Sequence, residues 1–233
     1  MRDALGLLTT LGRRGGQLNA RAFAWFPIVG AAIGAVVGTA WWLGNEWWTA
    51  SVAAGVAVVV DLGVTGMLHF DGLADSADGL LPHATRDRRL DIMRAPDIGA
   101  FGAIAIGATL ILRTVTLASI EPSILLLVAI WAAGRALVAS VPAFVDYARD
   151  DGIASAMIDG APRWPVLTVP LAAAIAWLAV GWLGALAVGI GVLAGVGVVG
   201  LARQRLGGFT GDVLGATIVV TETVALLVAA GRS

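Results

Sequence analysis

Seven apolar stretches succeed one another along the chain, at about 25–43, 50–67, 99–118, 122–143, 165–183, 185–202 and 212–230. Each approaches or reaches the roughly 17–25 residues that an α-helix needs to cross a bilayer. Inside lipid a backbone must satisfy its own N–H and C=O groups, which leaves helices and closed barrels. Barrel strands alternate apolar and polar positions over about ten residues, whereas these runs are continuous Ala, Val, Leu and Gly. The expected fold is all-α, a polytopic integral membrane helix bundle of about seven transmembrane helices. The stretches 165–183 and 185–202 have almost no linker, so they form a tight hairpin or one broken unit. Charge supports this reading: 13% of residues are charged, against about 25% in soluble domains.

Arginine orients the bundle. Arg2, Arg13, Arg14 and Arg21 precede the first stretch, and Arg86, Arg88, Arg89 and Arg94 lie in segment 68–98. Arg149 and Arg163 follow the fourth stretch, and Arg203 and Arg205 follow the sixth. These alternate connections hold twelve Arg, while the opposite face holds only Arg232. The positive-inside rule places the N-terminus and the long connections in the cytoplasm. The chain is read as one membrane-embedded catalytic domain, 1–233, with a cytoplasmic arm at 1–24 and a cytoplasmic active-site segment at 68–98. The short apolar run Ala4 to Leu11, broken by Thr9 and Thr10, is no secretory signal.

Several chemistries are excluded. There is no Lys, hence no Schiff base, and no Cys, hence no thiolate chemistry or sulfur-bound zinc. The two His are too few for a multi-histidine metal site. A net charge of −1 gives no capture of nucleic acid.

The most informative segment is His69-Phe70-Asp71-Gly72-Leu73-Ala74-Asp75-Ser76-Ala77-Asp78-Gly79. On a helix Asp71, Asp75 and Asp78 fall within about 60° of one another. Three carboxylates on one stripe repel, and a bound cation resolves the repulsion. Oxygen-only ligands favour Mg²⁺, Mn²⁺ or Ca²⁺ over zinc. The small residues between the acids leave room for something bulky. Arg86, Arg88, Arg89 and Arg94 follow, and guanidinium forks match phosphate oxygens. The plain alternatives are a solvated helix end and a lipid-headgroup anchor.

Gly207-Gly208-Phe209-Thr210-Gly211-Asp212 leads into the last stretch, where Thr210 suits a helix cap and exposed N–H groups suit an anion. Tyr147-Ala148-Arg149-Asp150-Asp151-Gly152 offers an aromatic face and a guanidinium to a base or nucleotide, or forms a solvated turn. Asp61, Arg113, Arg135 and Glu222 lie within apolar stretches, where charge is costly and usually functional. Asp61 lies roughly 9 Å below the cytoplasmic end of its span, Arg135 roughly 12 Å and Glu222 roughly 15 Å, so Arg135 can pair with either acid. Arg113 reads as deeper. A structural ion pair is the alternative to a functional role.

Taken together, the 69–79 segment resembles the signature of the cobalamin synthase family, the adenosylcobinamide-GDP ribazoletransferases. The likeness continues through Arg86-Asp87-Arg88, Ile92-Met93-Arg94 and Gly99-Ala100-Phe101-Gly102. It returns at Tyr147 to Gly152, at Gly208 to Ala216 and at Glu222, and Phe26-Pro27-Ile28-Val29-Gly30 is similar to the family's first span. It departs at Ala95, where the family often has an acid, at Arg113, where many members carry Lys, and at Val219, an often polar position.

The resemblance implies an enzyme that joins α-ribazole, or its 5′-phosphate, to adenosylcobinamide-GDP. Adenosylcobalamin or its 5′-phosphate is formed and GMP is released, late in cobalamin biosynthesis. It implies an Mg²⁺ requirement and a multi-pass protein of a bacterial-type inner membrane, its active site facing the cytoplasm. Phosphoryl transfer needs charge neutralisation and positioning more than a covalent nucleophile. Asp71, Asp75 and Asp78 are expected to hold metal. Asp78, Asp212 and Arg94 are expected to be catalytic, Asp78 as base and Asp212 completing the metal shell or orienting the attacking hydroxyl. Arg86, Arg88, Arg89, Tyr147, Arg149 and Thr210 form the expected substrate-binding set, with Arg135 and Glu222 supporting it from beneath. The bilayer is the other partner, and small-residue helix faces permit a homo-oligomer. Two other readings are a CDP-alcohol-type membrane phosphotransferase and a cation transporter. The first lacks its Ala-Arg after the Asp-Gly; the second is opposed by the one-sided polarity.

Overall fold

A computed structural model describes residues 1–10, 20–149 and 160–231. Arg13, Arg14, Asp150, Asp151, Gly152 and Arg232 lie outside the described residues. The described residues form an all-α bundle of ten helices: α1 (Arg2–Leu8), α2 (Phe26–Trp47), α3 (Ala50–Thr65), α4 (Leu68–Leu80), α5 (Arg86–Ile92), α6 (Ala100–Ala118), α7 (Ile124–Ser140), α8 (Val169–Val180), α9 (Trp182–Leu206) and α10 (Gly211–Ala229). Three 3₁₀ turns, Ala20–Trp25, Val141–Ala143 and Trp164–Thr168, lead into or out of the bundle helices.

Five segments are long and apolar enough to cross a membrane alone: Ala20–Trp47, α6, Ile124–Ala143, α9 and α10. The remaining two expected stretches are shorter, α3 with 16 residues and Trp164–Val180 with 17. Seven helical runs nevertheless pass between the same two ends. At one end α3 finishes beside the arm, where Thr10 N–H donates to Val64 O at 2.9 Å. There too α6 and α10 begin beside α4, and α7 finishes at Ser140, whose Oγ accepts from Val166 N–H at 2.9 Å. The described parts of the long connections gather at this end. At the other end α8 and α9 are joined by Gly181 alone, at φ 76°, so the pair is a tight hairpin.

Small residues set the closest approaches. Gly30, Gly34 and Gly38 form an i, i+4, i+8 stripe on α2, and a Cβ on any of them would run into the α7 backbone between Ile124 and Trp131. Large side chains on α6, α8 and α9 face outward instead, Ile104, Ile111, Leu178 and Leu193 among them. Trp25 and Trp164 are exposed at one end, and Trp47, Trp48 and Trp182 at the other. Aromatic residues at both ends of an apolar bundle mark the two membrane interfaces.

The second apolar stretch does not continue straight. Gly66 is left-handed at φ 61°, Met67 follows at φ 61°, and Met67 N–H returns to Leu62 O at 2.9 Å. This closes α3 as a glycine-capped helix end. The chain then turns by 89° into α4, which lies across the ends of α6, α9 and α10 rather than crossing the bundle.

Candidate active site

α4 carries the acidic stripe, and its neighbours decide what each acid does. Gly72 packs against the Asp212 backbone, Gly215 against His69, and Gly79 against Met93. Gly72 and Gly79 therefore serve close helix packing, while Ala74 lines a cleft beside Asp71 and Asp75. The same contacts bring Asp212, in the first turn of α10, beside the stripe.

Asp71 is exposed and Asp75 half-buried. The Asp75 carboxyl is pushed up to about 6, by burial first and then by Asp212, Asp71 and Asp78, with Arg149 opposing. Asp78 sits differently from its two partners on the stripe. Its carboxylate accepts from Gly99 N–H at 2.7 Å and from Gly102 N–H at 3.0 Å. It caps α6 from another helix, satisfying donors that a helix start leaves open. Among the described residues no three His, Asp or Glu side chains stand close enough to form a ready metal cage.

The arginines also divide. Arg89 donates to Gly79 O at 2.7 Å and Leu80 O at 2.8 Å, and Arg205 donates to Leu80 O as well. Together they close the C-terminal end of α4. Arg86 donates to Leu206 O at 2.8 Å and Ala148 O at 2.7 Å, closing the end of α9. Arg89 is buried on backbone carbonyls, whereas Arg86 also holds carbonyls but stays exposed beside Arg94 and Arg149. Arg88 and Arg94 are exposed. Arg149 pairs with Asp212 at 2.9 Å. Arg94 borders two polar clefts, one of about 230 Å³ with Asp71, Asp75 and Asp97, the other of about 200 Å³ with Arg86, Asp91 and Arg149.

Two connections are stitched together at this end. Ala148 N–H donates to Phe209 O at 2.8 Å, Phe209 N–H to Asp146 O at 2.9 Å, and the Tyr147 and Phe209 rings meet edge-on at 5.4 Å. Thr210 is buried, and its Oγ1 accepts from Val213 N–H at 3.3 Å as the cap of α10. The same hydroxyl lies 3.3 Å from Asp212 Oδ2.

Beneath the stripe lies a closed ion network. Arg113 binds Asp61 at 2.8 Å and Glu222 at 2.7 Å, and donates to Thr223 Oγ1 at 2.9 Å. Its guanidinium lies 5.3 Å from the Phe70 ring centre and 5.5 Å from that of Trp131. Trp131 Nε1 donates to Asp61 at 3.0 Å. Arg135 pairs with Glu222 and not with Asp61. Arg113 is therefore the hub of the network rather than a separate, deeper charge. Arg135 and Glu222 are 0% and 1% exposed, beneath the open clefts and not in them. Sequence reasoning missed the positions of Trp131, Arg205 and His69. His69 stands at the head of the acidic segment, and its place beside the acids was the one available signal.

A family model described as cobalamin-5-phosphate synthase matches residues 1–230. The adenosylcobinamide-GDP ribazoletransferase of Leptothrix cholodnii is 34% identical over 218 residues, covering 87% of this chain and 81% of its own length. The protein of that name from Escherichia coli O157:H7 is 33% identical over 210 residues, covering 87% and 84%. The one from Bradyrhizobium diazoefficiens is 41% identical over 194 residues, covering 78% and 72%. No solved structure matches the chain significantly.

Proposed function

The chain belongs to the cobalamin-5-phosphate synthase family, a family of transferases of cobalamin synthesis, and on that footing we propose that it joins α-ribazole, or its 5′-phosphate, to adenosylcobinamide-GDP with the aid of Mg²⁺. The substrates follow from the name its relatives carry. One observation carries the reading for this chain's own residues. Asp71, Asp75 and Asp212 gather at one end of the bundle, with Arg149 on Asp212 and Arg94 bordering the cleft that Asp71 and Asp75 line.

Mg²⁺ keeps several waters and binds through one or two carboxylates plus substrate phosphates. A preformed cage is therefore not needed, and Asp71 and Asp75 suit the ion. Asp75 is consistent with this, since its carboxyl is raised by burial first and then by its acidic neighbours, and a cation would relieve the second cause. Bound there, the ion would neutralise the diphosphate charge that builds during transfer. Asp78 is left out of this set, being engaged with α6.

A ribose hydroxyl forms the new bond to the phosphorus on the cobinamide side, and the bridging P–O bond breaks. GMP leaves with that electron pair. Asp212, oriented by Arg149 and Thr210, takes the hydroxyl proton. Arg94 and Arg149 steady the phosphate oxygens. The arginine asymmetry assigns this end of the bundle to the cytoplasm.

The test is reconstitution in liposomes with adenosylcobinamide-GDP, α-ribazole and Mg²⁺, following GMP and the corrinoid product by chromatography. Matched appearance of both, abolished by chelation, is expected. If folded, inserted protein yields neither, the reading fails, and CDP-alcohol donors and cation flux are assayed next.

A further inference from the structure

Beneath the arm lies an apolar cavity of about 260 Å³ that the steps above leave unused. Leu8 of α1, Phe23, Phe26, Phe209 and Leu214 are among the apolar side chains that line it. Among the described residues, His69, Tyr147 and Asp212 are its only lining residues with polar side chains.

We propose that this cavity seats the flat aromatic base of the nucleoside co-substrate, with His69 Nε2–H donating to the bare ring nitrogen of that base. The proposal rests on the reading above and adds a subsite to it.

His69 is 5% exposed, and its Nδ1 faces the Arg135 guanidinium at 3.5 Å. A guanidinium only donates, so Nδ1 is the accepting nitrogen, and the ring hydrogen of the neutral imidazole is on Nε2. That Nε2 is buried without a partner. Buried donors in native proteins are almost always paired, so an unpaired one in a cavity wall points to a ligand acceptor. The cavity volume falls just below the roughly 300–1,000 Å³ of pockets for drug-sized ligands. It suits a two-ring heterocycle and is far too small for a corrinoid.

The chemistry of the wall selects among the available rings. A guanine base would bring several N–H donors to a wall whose side-chain acceptors, among the described residues, are only Asp212 and Tyr147 among mostly Phe and Leu side chains. Ribazole is a benzimidazole nucleoside, whose ring carries one bare acceptor nitrogen and no donor. Its sugar is the polar part, and Asp212 is the carboxylate that borders the cavity. Seating the base here would therefore carry the ribose toward the group assigned above to the attacking hydroxyl.

The test uses the full chain in nanodiscs without adenosylcobinamide-GDP, so that binding is read apart from turnover. Calorimetry compares α-ribazole with an isosteric riboside in which the bare ring nitrogen is replaced by C–H. The wild-type protein is expected to prefer ribazole about tenfold, the scale of one buried hydrogen bond. His69→Leu should abolish that preference. Leu7→Trp, which fills the cavity from the arm without altering His69, should weaken both ribosides at least about tenfold.

Equal wild-type affinity for the two ribosides, or undiminished ribazole binding in Leu7→Trp, overturns the proposal. Loss of co-purified phospholipid from Leu7→Trp with ribazole binding intact would give the cavity to an acyl chain. Wild-type turnover in the same preparation separates the two levels. An active enzyme with unaffected variants refutes the subsite alone, whereas inactive protein that binds no ribazole refutes the reading it rests on.

Discussion

The two charged regions of this bundle use the same residue types in opposite ways. In the buried network Asp61 and Glu222 meet Arg113 and Arg135, and each guanidinium has a carboxylate within the chain. At the open end Arg149 pairs with Asp212 and opposes the charge on Asp75, acids are in excess, and Asp75 is raised by burial first and then by its acidic neighbours. The chain cancels its own charge where no ligand reaches. Where the clefts open it leaves the cancellation incomplete, which is the condition for recruiting a cation.

The largest effect expected from this contrast is on stability. Arg113→Leu leaves Asp61 without its guanidinium and removes one of the two on Glu222, in a region about as buried as any in the protein. Removing one partner of a buried pair costs about 3–5 kcal/mol. Thermal melting in nanodiscs should show a large loss of stability. A melt like that of the wild type would mean the network does not hold the helices in register.

Asp75→Asn tests the opposite region. Turnover should fall by about 10²–10³, the scale of one lost electrostatic contact to a transition state, while the metal-free variant at neutral pH melts no lower than wild type, having lost a carboxylate that the fold disfavours. Its pH behaviour has a definite sign. A carboxyl raised to about 6 binds its proton more tightly in the folded protein than in the unfolded chain. The stability this gives is complete below the ordinary carboxylate range, about 4, and is lost as pH rises through about 6. Metal-free protein should therefore melt at lower temperature as pH climbs from about 4 to about 6, and Asp75→Asn should flatten that slope. Protons also compete with the cation, so the Mg²⁺ needed for half-maximal activity should rise as pH falls below about 6. A flat Mg²⁺ requirement over that range would remove Asp75 from the metal set.

Much of this contrast was legible in the sequence, and the reason differs by residue. The seven apolar stretches, the hairpin at Gly181 and the Thr210 cap are local features, written in hydropathy and residue type over a few positions. That Asp61, Arg113, Arg135 and Glu222 would not be idle followed from the cost of charge in lipid. Their partners did not follow, because pairing depends on helix depth and rotation. A shift of two residues in where α6 starts moves Arg113 by about 3 Å and turns it through about 200°. Arg86 and Arg89 read as phosphate ligands because the carbonyls at Leu206, Gly79 and Leu80 become acceptors only once α4 and α9 end side by side. The engagement of Asp78 with α6 was hidden for a related reason. A helical wheel places it with Asp71 and Asp75, and nothing local reveals that the start of α6 lies against it.

Asp78→Ala carries the smallest expected effect and is the sharpest test of how the stripe is divided. The substitution withdraws both acceptors from Gly99 N–H and Gly102 N–H and removes a negative charge from the start of α6. Loss of a helix cap costs about 0.5–2 kcal/mol, and the charge adds a favourable contribution of the same sign. The protein should melt a few degrees lower. Turnover should fall less than in Asp75→Asn, because Ile98, just before α6, lines the cleft beside Asp71 and Asp75 and would shift with it. The Mg²⁺ dependence separates a cap from a ligand. With Asp78 capping α6, the half-saturating Mg²⁺ concentration stays close to wild type even though the melt has moved. With Asp78 on the ion, that concentration rises steeply and the melt hardly changes. The second outcome would return Asp78 to the metal set and require its carboxylate to swing away from Gly99 and Gly102 when substrate binds.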